Sequence, residues 1–283
     1  MAKIIDGKEV AVSIKNEVAL GVTNLKKQGT EVCLAVIIVG DDPASQVYVR
    51  NKKRACEECG IISEEFVLPA DVGQTELIRL ISALNYDEAV NGILVQLPLP
   101  AGYDEKEVTG AISPEKDVDC FHPVNVGKLI TGNTCFLPCT PAGVIKMLDY
   151  YNIDITGKEC VVVGRSTIVG KPMSLMLLDR NGTVTTAHSK TNNLAEVCKR
   201  ADILVAAVGK PKFITADMVK EGAVVIDIGI NRADGKLCGD IDFDNVKEKA
   251  EYITPVPGGC GVTTVAMLMQ NTLSAAINQN RGI

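Results

Sequence analysis

VVVGRSTIVGKP, residues 161–172, is the stretch on which the reading of this chain turns. Three valines end at Gly164, and a second glycine, Gly170, opens an apolar run (Met173, Leu175, Met176, Leu177, Leu178) of helical character. A buried strand, a glycine turn and a helix N-terminus together form a cradle for a dinucleotide pyrophosphate, because the turn exposes backbone amides at the positive end of a helix dipole. The pattern departs from G-x-G-x-x-G: the glycines stand six apart and Arg165 follows the first. A strand–glycine–helix turn that binds nothing would use the same residues, so a second observation has to decide.

That observation lies one strand further on. In an NAD site an acid about twenty residues past the glycine turn grips the ribose 2′-hydroxyl. Here the strand 183–187 runs into His188, Ser189, Lys190 and Thr191, with no acid. A hydroxyl and a cation at this place, with Arg165 beside the turn, suit a 2′-phosphate. The expected cofactor is NADP rather than NAD. A polar strand-end loop is the plain alternative.

Outward from this stretch, strands and helices alternate along the chain. Toward the C-terminus, strands are expected at 159–164, 183–187, 203–208 and 224–228, and a long amphipathic helix at 261–279. Toward the N-terminus, a helix over 6–27 precedes a fully apolar strand at 31–40, as in a parallel sheet covered on both faces. Gly40-Asp41-Asp42-Pro43 is a turn with Asp42 as N-cap, and the next helix runs to Gly60. A strand at 62–68, a helix at 74–84, a buried strand at 92–97 and a short helix at 104–112 follow. Residues 114–138 keep no steady period and are expected to form a long ordered loop. Thr140 and Pro141 then start a helix through Tyr151, with Thr140 capping it. The fold class is α/β with two domains, divided near residue 140.

Composition narrows the function classes. The 283 residues are 46% apolar and 23% charged, enough for a large buried core. A net charge of −6 argues against a general nucleic-acid or anionic-membrane binder. No run approaches about eighteen consecutive apolar residues, and the N-terminus has no secretory pattern, so a cytoplasmic location without membrane insertion is expected. In that compartment the ten cysteines are small buried thiols. Cys56 and Cys59 with Cys135 and Cys139 offer zinc-like spacing, but the first pair falls inside a helix with no knuckle turn around it; no metal is expected.

The first domain carries a second set of polar residues. Tyr48 and Lys52, in YVRNK, are four apart on one helix and share a face. A lysine partly shielded from water beside a phenol can become a proton carrier near neutrality; a surface pair is the alternative. Gln96 ends a buried strand, where ligands of parallel sheets meet the protein. Asp117 and Asp119 lie in the long loop, where a carboxylate can pair with an aminopyrimidinone ring or simply form a turn. Residues 254–259, TPVPGG, combine prolines that hold shape with glycines that let a flat ring approach the backbone.

YVRNK, GILVQLPLP, PEKDVD, GRSTIVGKP, TVTTAHSKT, DIGIN and PVPGG occur in this order and span the chain. The set closely resembles bifunctional methylenetetrahydrofolate dehydrogenase/methenyltetrahydrofolate cyclohydrolase. The resemblance implies a folate-binding catalytic domain from 1–139 and 262–283, the last helix returning to it, and a Rossmann-type NADP-binding domain at 140–261, with a cleft between them. It implies a homodimer formed through the cofactor domains and a place in one-carbon metabolism and purine biosynthesis. The implied reactions are oxidation of 5,10-methylenetetrahydrofolate with NADP+ and hydrolysis of the methenyl product to 10-formyltetrahydrofolate. By the same resemblance, Lys52 manages proton transfers, Tyr48 stacks on or orients the folate and Gln96 positions Lys52. Asp119, Pro257 and Gly258 bind the pterin. Arg165 and Ser189 contact the 2′-phosphate, and Gly164, Ser166 and Ile230 form other cofactor contacts.

Two places depart from the family pattern. Cys120 stands where glycine is usual after Asp119, and Val262-Thr263 replaces a proline–methionine pair at the start of the last helix. Three rival readings share parts of the pattern: an NAD-preferring or dehydrogenase-only relative, an enzyme similar to shikimate dehydrogenase, and a non-catalytic NADPH-binding sensor using its cysteines.

Overall fold

A computed structural model describes residues 1–233 and 235–281, with side chains for all of these but 43–45. The chain opens with a two-residue strand, β1 (Lys3–Ile4), and helix α1 (Gly7–Lys27). An α/β alternation follows: β2 (Cys33–Val39), α2 (Pro43–Cys59), β3 (Ile62–Leu68), α3 (Gln74–Tyr86), β4 (Gly92–Val95) and the short α4 (Glu105–Gly110). Next come α5 (Pro123–Thr131) and α6 (Cys139–Tyr150). The second alternation is β5 (Glu159–Val163), α7 (Gly170–Asp179), β6 (Thr183–Ala187), α8 (Leu194–Cys198), β7 (Ile203–Ala206) and β8 (Val224–Asp227). A small hairpin of β9 (Asn231–Ala233) and β10 (Lys236–Cys238) precedes α9 (Phe243–Val246), β11 (Tyr252–Ile253) and the closing helix α10 (Cys260–Asn280).

Contacts divide the chain into two compact units, Ser13–Leu137 with Val265–Ile283 and Met1–Val12 with Pro138–Thr264. The first is built on a three-stranded parallel sheet, β3-β2-β4. Its central strand β2 is buried along its whole length, as its unbroken apolar sequence requires. Leu273 of α10 packs on Gly21 of α1 so closely that an added Cβ would lie 2.5 Å from it. Asn91 and Gln279 of α10 exchange hydrogen bonds in the same unit.

The second unit holds a six-stranded parallel sheet in the order β1-β11-β8-β7-β5-β6. Residues 1–12, grouped with 13–139 in the sequence reading, join this unit because β1 extends its sheet beside β11. Two residues of strand carry too little periodicity to be seen in sequence. The core of this unit includes Val161, Val163, Leu204, Val225 and Ile253, the inward residues of successive strands.

Two local expectations need correction. Residues 114–138 are not loop throughout, because they contain α5. The His122 ring Nδ1 accepts from the Val124 amide, Pro123 takes the first turn, and left-handed Gly132 ends the helix. Gly127 and buried Asn125 interrupt its apolar pattern and hide it. Thr140 does not cap α6, which starts at Cys139; its hydroxyl instead accepts from Thr264.

Helix α10 reaches a mean hydropathy of 1.2 over eighteen residues, the length and composition of a membrane-crossing helix, yet 61% of that window is buried inside the protein. A core helix has the same signature. It starts at Cys260 without the family's proline. Thr263 and Thr264 both bond back to the Cys260 carbonyl, and Thr263 lies against Gly143 of α6.

Candidate active site

In the three-stranded unit, α2 and the end of β4 bring Lys52 and Gln96 together. Lys52 Nζ donates to Gln96 Oε1 at 2.9 Å, both side chains being half-buried. The amide is oriented from its other end, where Nε2 donates to the Leu97 carbonyl at 2.6 Å. Since an ammonium only donates, the oxygen of Gln96 has to face it. Tyr48, one helical turn before Lys52, is half-buried, and burial pushes its phenol above the ordinary value. That keeps it a neutral hydroxyl at physiological pH.

The two aspartates of the long loop separate into different roles. Asp117 is buried and serves the backbone, accepting from the Phe121 and His122 amides and from Asn125 Nδ2. Burial nonetheless raises its pKa. Asp119 is only half-buried. The chain on either side of it is pinned. Buried Lys116 donates to the Leu84 and Asp87 carbonyls at the end of α3, and Asn271 of α10 donates to the Val118 and Leu137 carbonyls. Desolvation holds the Lys116 ammonium below the ordinary lysine value. Cys120 has φ 62, a left-handed conformation in which only glycine is unstrained, and its buried thiol donates to the Phe136 carbonyl. The family's glycine at this place is thereby explained, and this chain keeps the same bend with a side chain.

In the six-stranded unit, the Gly164–Gly170 turn is a backbone cradle. Gly164 has φ 136, and an added Cβ would lie 2.2 Å from the Ala207 carbonyl. One on Gly170 would meet the Gly164 carbonyl at 2.4 Å. The turn is therefore packed backbone to backbone, the form that admits a pyrophosphate at the α7 N-terminus. The Ser166 hydroxyl accepts from the Val169 and Gly170 amides, so it closes the turn from inside. Strands β5 and β6 pair with Val163 opposite Ala187. Two residues beyond that pair, Arg165 and Ser189 leave neighbouring strands at the same level, both exposed. The β6 end, His188 to Thr191, carries no acid in its sequence. His188 Nδ1 accepts from the Lys190 amide, which shapes the loop.

Ile230, exposed, reaches Gly261 at the start of α10. Pro257 is exposed, and Gly258, at φ 105, lies against the aliphatic end of Lys8. Prolines 98 and 257 both follow cis peptide bonds. The structure thus joins Lys52 to Gln96 in one unit, and gathers Gly164, Arg165, Ser166 and Ser189 in the other.

Sequence reasoning missed the carboxylates behind the cofactor turn. Asp227 and Asp240 are almost wholly buried and bind seven donors between them, among them the amides of residues 208–210. The only available signal was an aspartate at the end of an otherwise apolar strand, VVID. The Cys56 and Cys59 thiols are inert by comparison: burial pushes the first up to about 12 and the second to about 11. Among the described residues no group of three or more His, Cys, Asp or Glu could hold a metal ion.

Residues 5–119 match the tetrahydrofolate dehydrogenase/cyclohydrolase family in its catalytic domain, and residues 138–280 match its NAD(P)-binding domain. The bifunctional protein FolD of Acetivibrio thermocellus is 60% identical over 276 residues, covering 97% of each chain. The crystal structure of the bifunctional FolD enzyme from Campylobacter jejuni superposes with a TM-score of 0.96 at 49% identity, over 99% of this chain and 100% of that one. The Trypanosoma brucei methylenetetrahydrofolate dehydrogenase-cyclohydrolase, complexed with NADP cofactor and inhibitor, superposes at 0.94 with 40% identity over 99% of both chains. This chain belongs to the tetrahydrofolate dehydrogenase/cyclohydrolase family.

Proposed function

We propose that Lys52 is the proton carrier of a two-step enzyme and that Arg165 and Ser189 select its cofactor. The enzyme oxidises 5,10-methylenetetrahydrofolate with NADP+ and hydrolyses the 5,10-methenyl product to 10-formyltetrahydrofolate. The observation that carries the assignment of Lys52 is its 2.9 Å bond to an amide that is itself fixed at a strand end.

When bound, NADP+ supplies the hydride acceptor. The glycine turn would hold its pyrophosphate, and Arg165 with Ser189 would hold the 2′-phosphate, a dianion best met by a guanidinium fork. Gly164 and Ile230 complete that surface, and Ser166 keeps the turn closed. For oxidation, the protein's own task is to orient the two reactants. Hydrolysis asks more. Water forms a C–O bond to the methenyl carbon and must lose protons, while the ring nitrogen gains one as its C–N bond breaks. Lys52 Nζ gives a proton to that nitrogen and takes one back from the adding water, whose second proton passes to solvent, with Gln96 fixing the lysine's position. Tyr48, kept neutral by burial, orients the folate. Asp119 accepts from the pterin's amino and ring N–H groups.

The chain works in the cytoplasm as a homodimer whose product serves purine biosynthesis. Predominantly buried thiols fit a reducing compartment, and β6 at the sheet edge of the cofactor unit offers a surface for a second copy. The net charge of −6 speaks against nucleic acid and membrane surfaces as partners.

The deciding assay supplies methylenetetrahydrofolate with NADP+ and, separately, with NAD+, and follows the methenyl absorbance. The expected trace rises with NADP+ and then decays. A rise without decay removes the hydrolytic step. No rise with either cofactor, despite NADPH binding, would leave a cofactor-binding sensor.

A further inference from the structure

We propose that Asp240 is a positioning residue for the cofactor, its buried carboxylate fixing residues 207–210 as the second lip of the dinucleotide crevice. This rests on the reading above that NADP+ seats at the Gly164 turn.

Topology places that lip. β5 has β6 on one side and β7 on the other, so the chain reverses its direction across the sheet at β5. Ligands of open parallel sheets bind where the carboxyl ends of strands part at such a reversal. The two strand ends concerned carry Gly164 and Ala207, and they pass so closely that a Cβ on Gly164 would strike the Ala207 carbonyl. Immediately past Ala207, three consecutive amides turn onto one side chain. Asp240 Oδ2 accepts from Val208 at 2.6 Å and Gly209 at 3.0 Å, and Oδ1 accepts from Lys210 at 2.9 Å. Asn231 Nδ2 adds a fourth bond to Oδ1 at 2.9 Å.

Asp240 is fully buried, and burying a carboxylate is costly unless its lone pairs are filled. Four N–H donors fill them here. The ladder of β7 ends at Ala206, so none of these bonds is needed to hold the strand. The grip falls on the residues beyond it, on the ligand side. The DIGIN motif, residues 227–231, supplies the rest of the device. Asp227 Oδ1 accepts from the Asp240 amide at 2.9 Å, and Asn231 contributes its side chain. A Cβ on Gly229 would lie 2.2 Å from Asp240 Oδ1, so only glycine leaves room for the carboxylate.

The test compares wild type, Asp240→Asn and Asn231→Ala by titration with NADPH, by hydrolysis of methenyltetrahydrofolate without cofactor, and by the urea unfolding midpoint. Asparagine turns an amino group toward amides that now find an acceptor, so Asp240→Asn should weaken NADPH binding by about tenfold or more. Asn231→Ala leaves the three lip amides bound and should weaken it by about threefold. Hydrolysis should stay within about twofold in both. Unchanged NADPH affinity in Asp240→Asn overturns the proposal. So does a joint fall of binding, hydrolysis and midpoint, which marks a purely structural residue. If Asp240→Asn does not fold, Asn231→Ala decides by the same readings. Absence of NADPH binding by wild type would overturn the seating at Gly164 itself, and this proposal with it.

Discussion

Lys52 Nζ and Gln96 Oε1 lie 2.9 Å apart, joining a helix to a strand end 44 residues later in the chain. The bond fixes the direction of a flexible ammonium whose four-carbon stem would otherwise sample many rotamers. Replacing Lys52 by methionine keeps the stem and deletes the proton carrier. Methenyl hydrolysis should fall by about a thousandfold, within the range that general acid–base groups contribute, while hydride transfer falls less. The measurement is methenyl decay after a single-turnover oxidation. Full retention of 10-formyl product formation would remove Lys52 from the mechanism.

Gln96→Ala leaves the ammonium present but unaimed. Hydrolysis should drop by about tenfold to a hundredfold, and Gln96→Glu should recover part of it, because a carboxylate oxygen also accepts from Lys52. Equal rates in Gln96→Ala and wild type would show that the bond has no part in the reaction.

Cofactor choice should follow the pair at the β5 and β6 ends. Arg165→Ala should raise KM for NADP+ by about tenfold to a hundredfold and leave KM for NAD+ nearly constant, since only NADP+ carries the 2′-phosphate. Ser189→Asp installs the missing ribose-binding acid and repels that phosphate. Its ratio of kcat/KM for NAD+ over NADP+ should rise. A parallel loss with both cofactors would place these residues outside the 2′-site.

Asp227 gives stability a pH dependence. Burial pushes its carboxyl up to about 7, so the folded chain holds a proton that the unfolded chain has released. This contribution is complete below about pH 4, the unfolded carboxyl value, and is lost as pH rises to about 7. Asp227→Asn has no such proton to lose. Measured by urea unfolding, the variant should gain on wild type as pH climbs from about 4.5 to about 7.5. A constant difference across that window would show that Asp227 does not titrate there.

Cys120 reverses a familiar order. Its φ of 62 strains any residue with a Cβ by about 1 kcal/mol, and the thiol is buried. Cys120→Ala keeps the strain and loses the thiol, whereas Cys120→Gly loses both. The glycine variant should therefore be at least as stable as the alanine variant, although it deletes more atoms. Thermal midpoints decide this, and alanine clearly above glycine would contradict it.

The legible parts of this chain were those that rest on local chemistry. The valine run into Gly164, the apolar β2 and the punctuation at Gly60 announce their elements through periodicity and turn residues. The boundaries of β6 coincide with its β-branched run. Helix α5 was hidden because its buried face includes Asn125, a polar residue that serves Asp117. β1 was hidden because two residues have no period. In the site, Lys52 could be named because it shares a helix face with Tyr48, and Gln96 and Arg165 because an amide or charged group at a strand end is unusual chemistry. Asp240 could not. Its role depends on amides 30 residues away, and nothing near it in sequence marks where its oxygens point.

Neither compact unit is a continuous piece of chain. The six-stranded sheet draws its edge strand β1 from the first residues, and the three-stranded unit draws most of α10 from the last. A cut near residue 138 would strip β1 from one unit and α10 from the other. Chimeras between relatives that exchange a unit must therefore graft two separated segments at once, with one crossover between Leu137 and Pro138 and the other two inside α1 and α10.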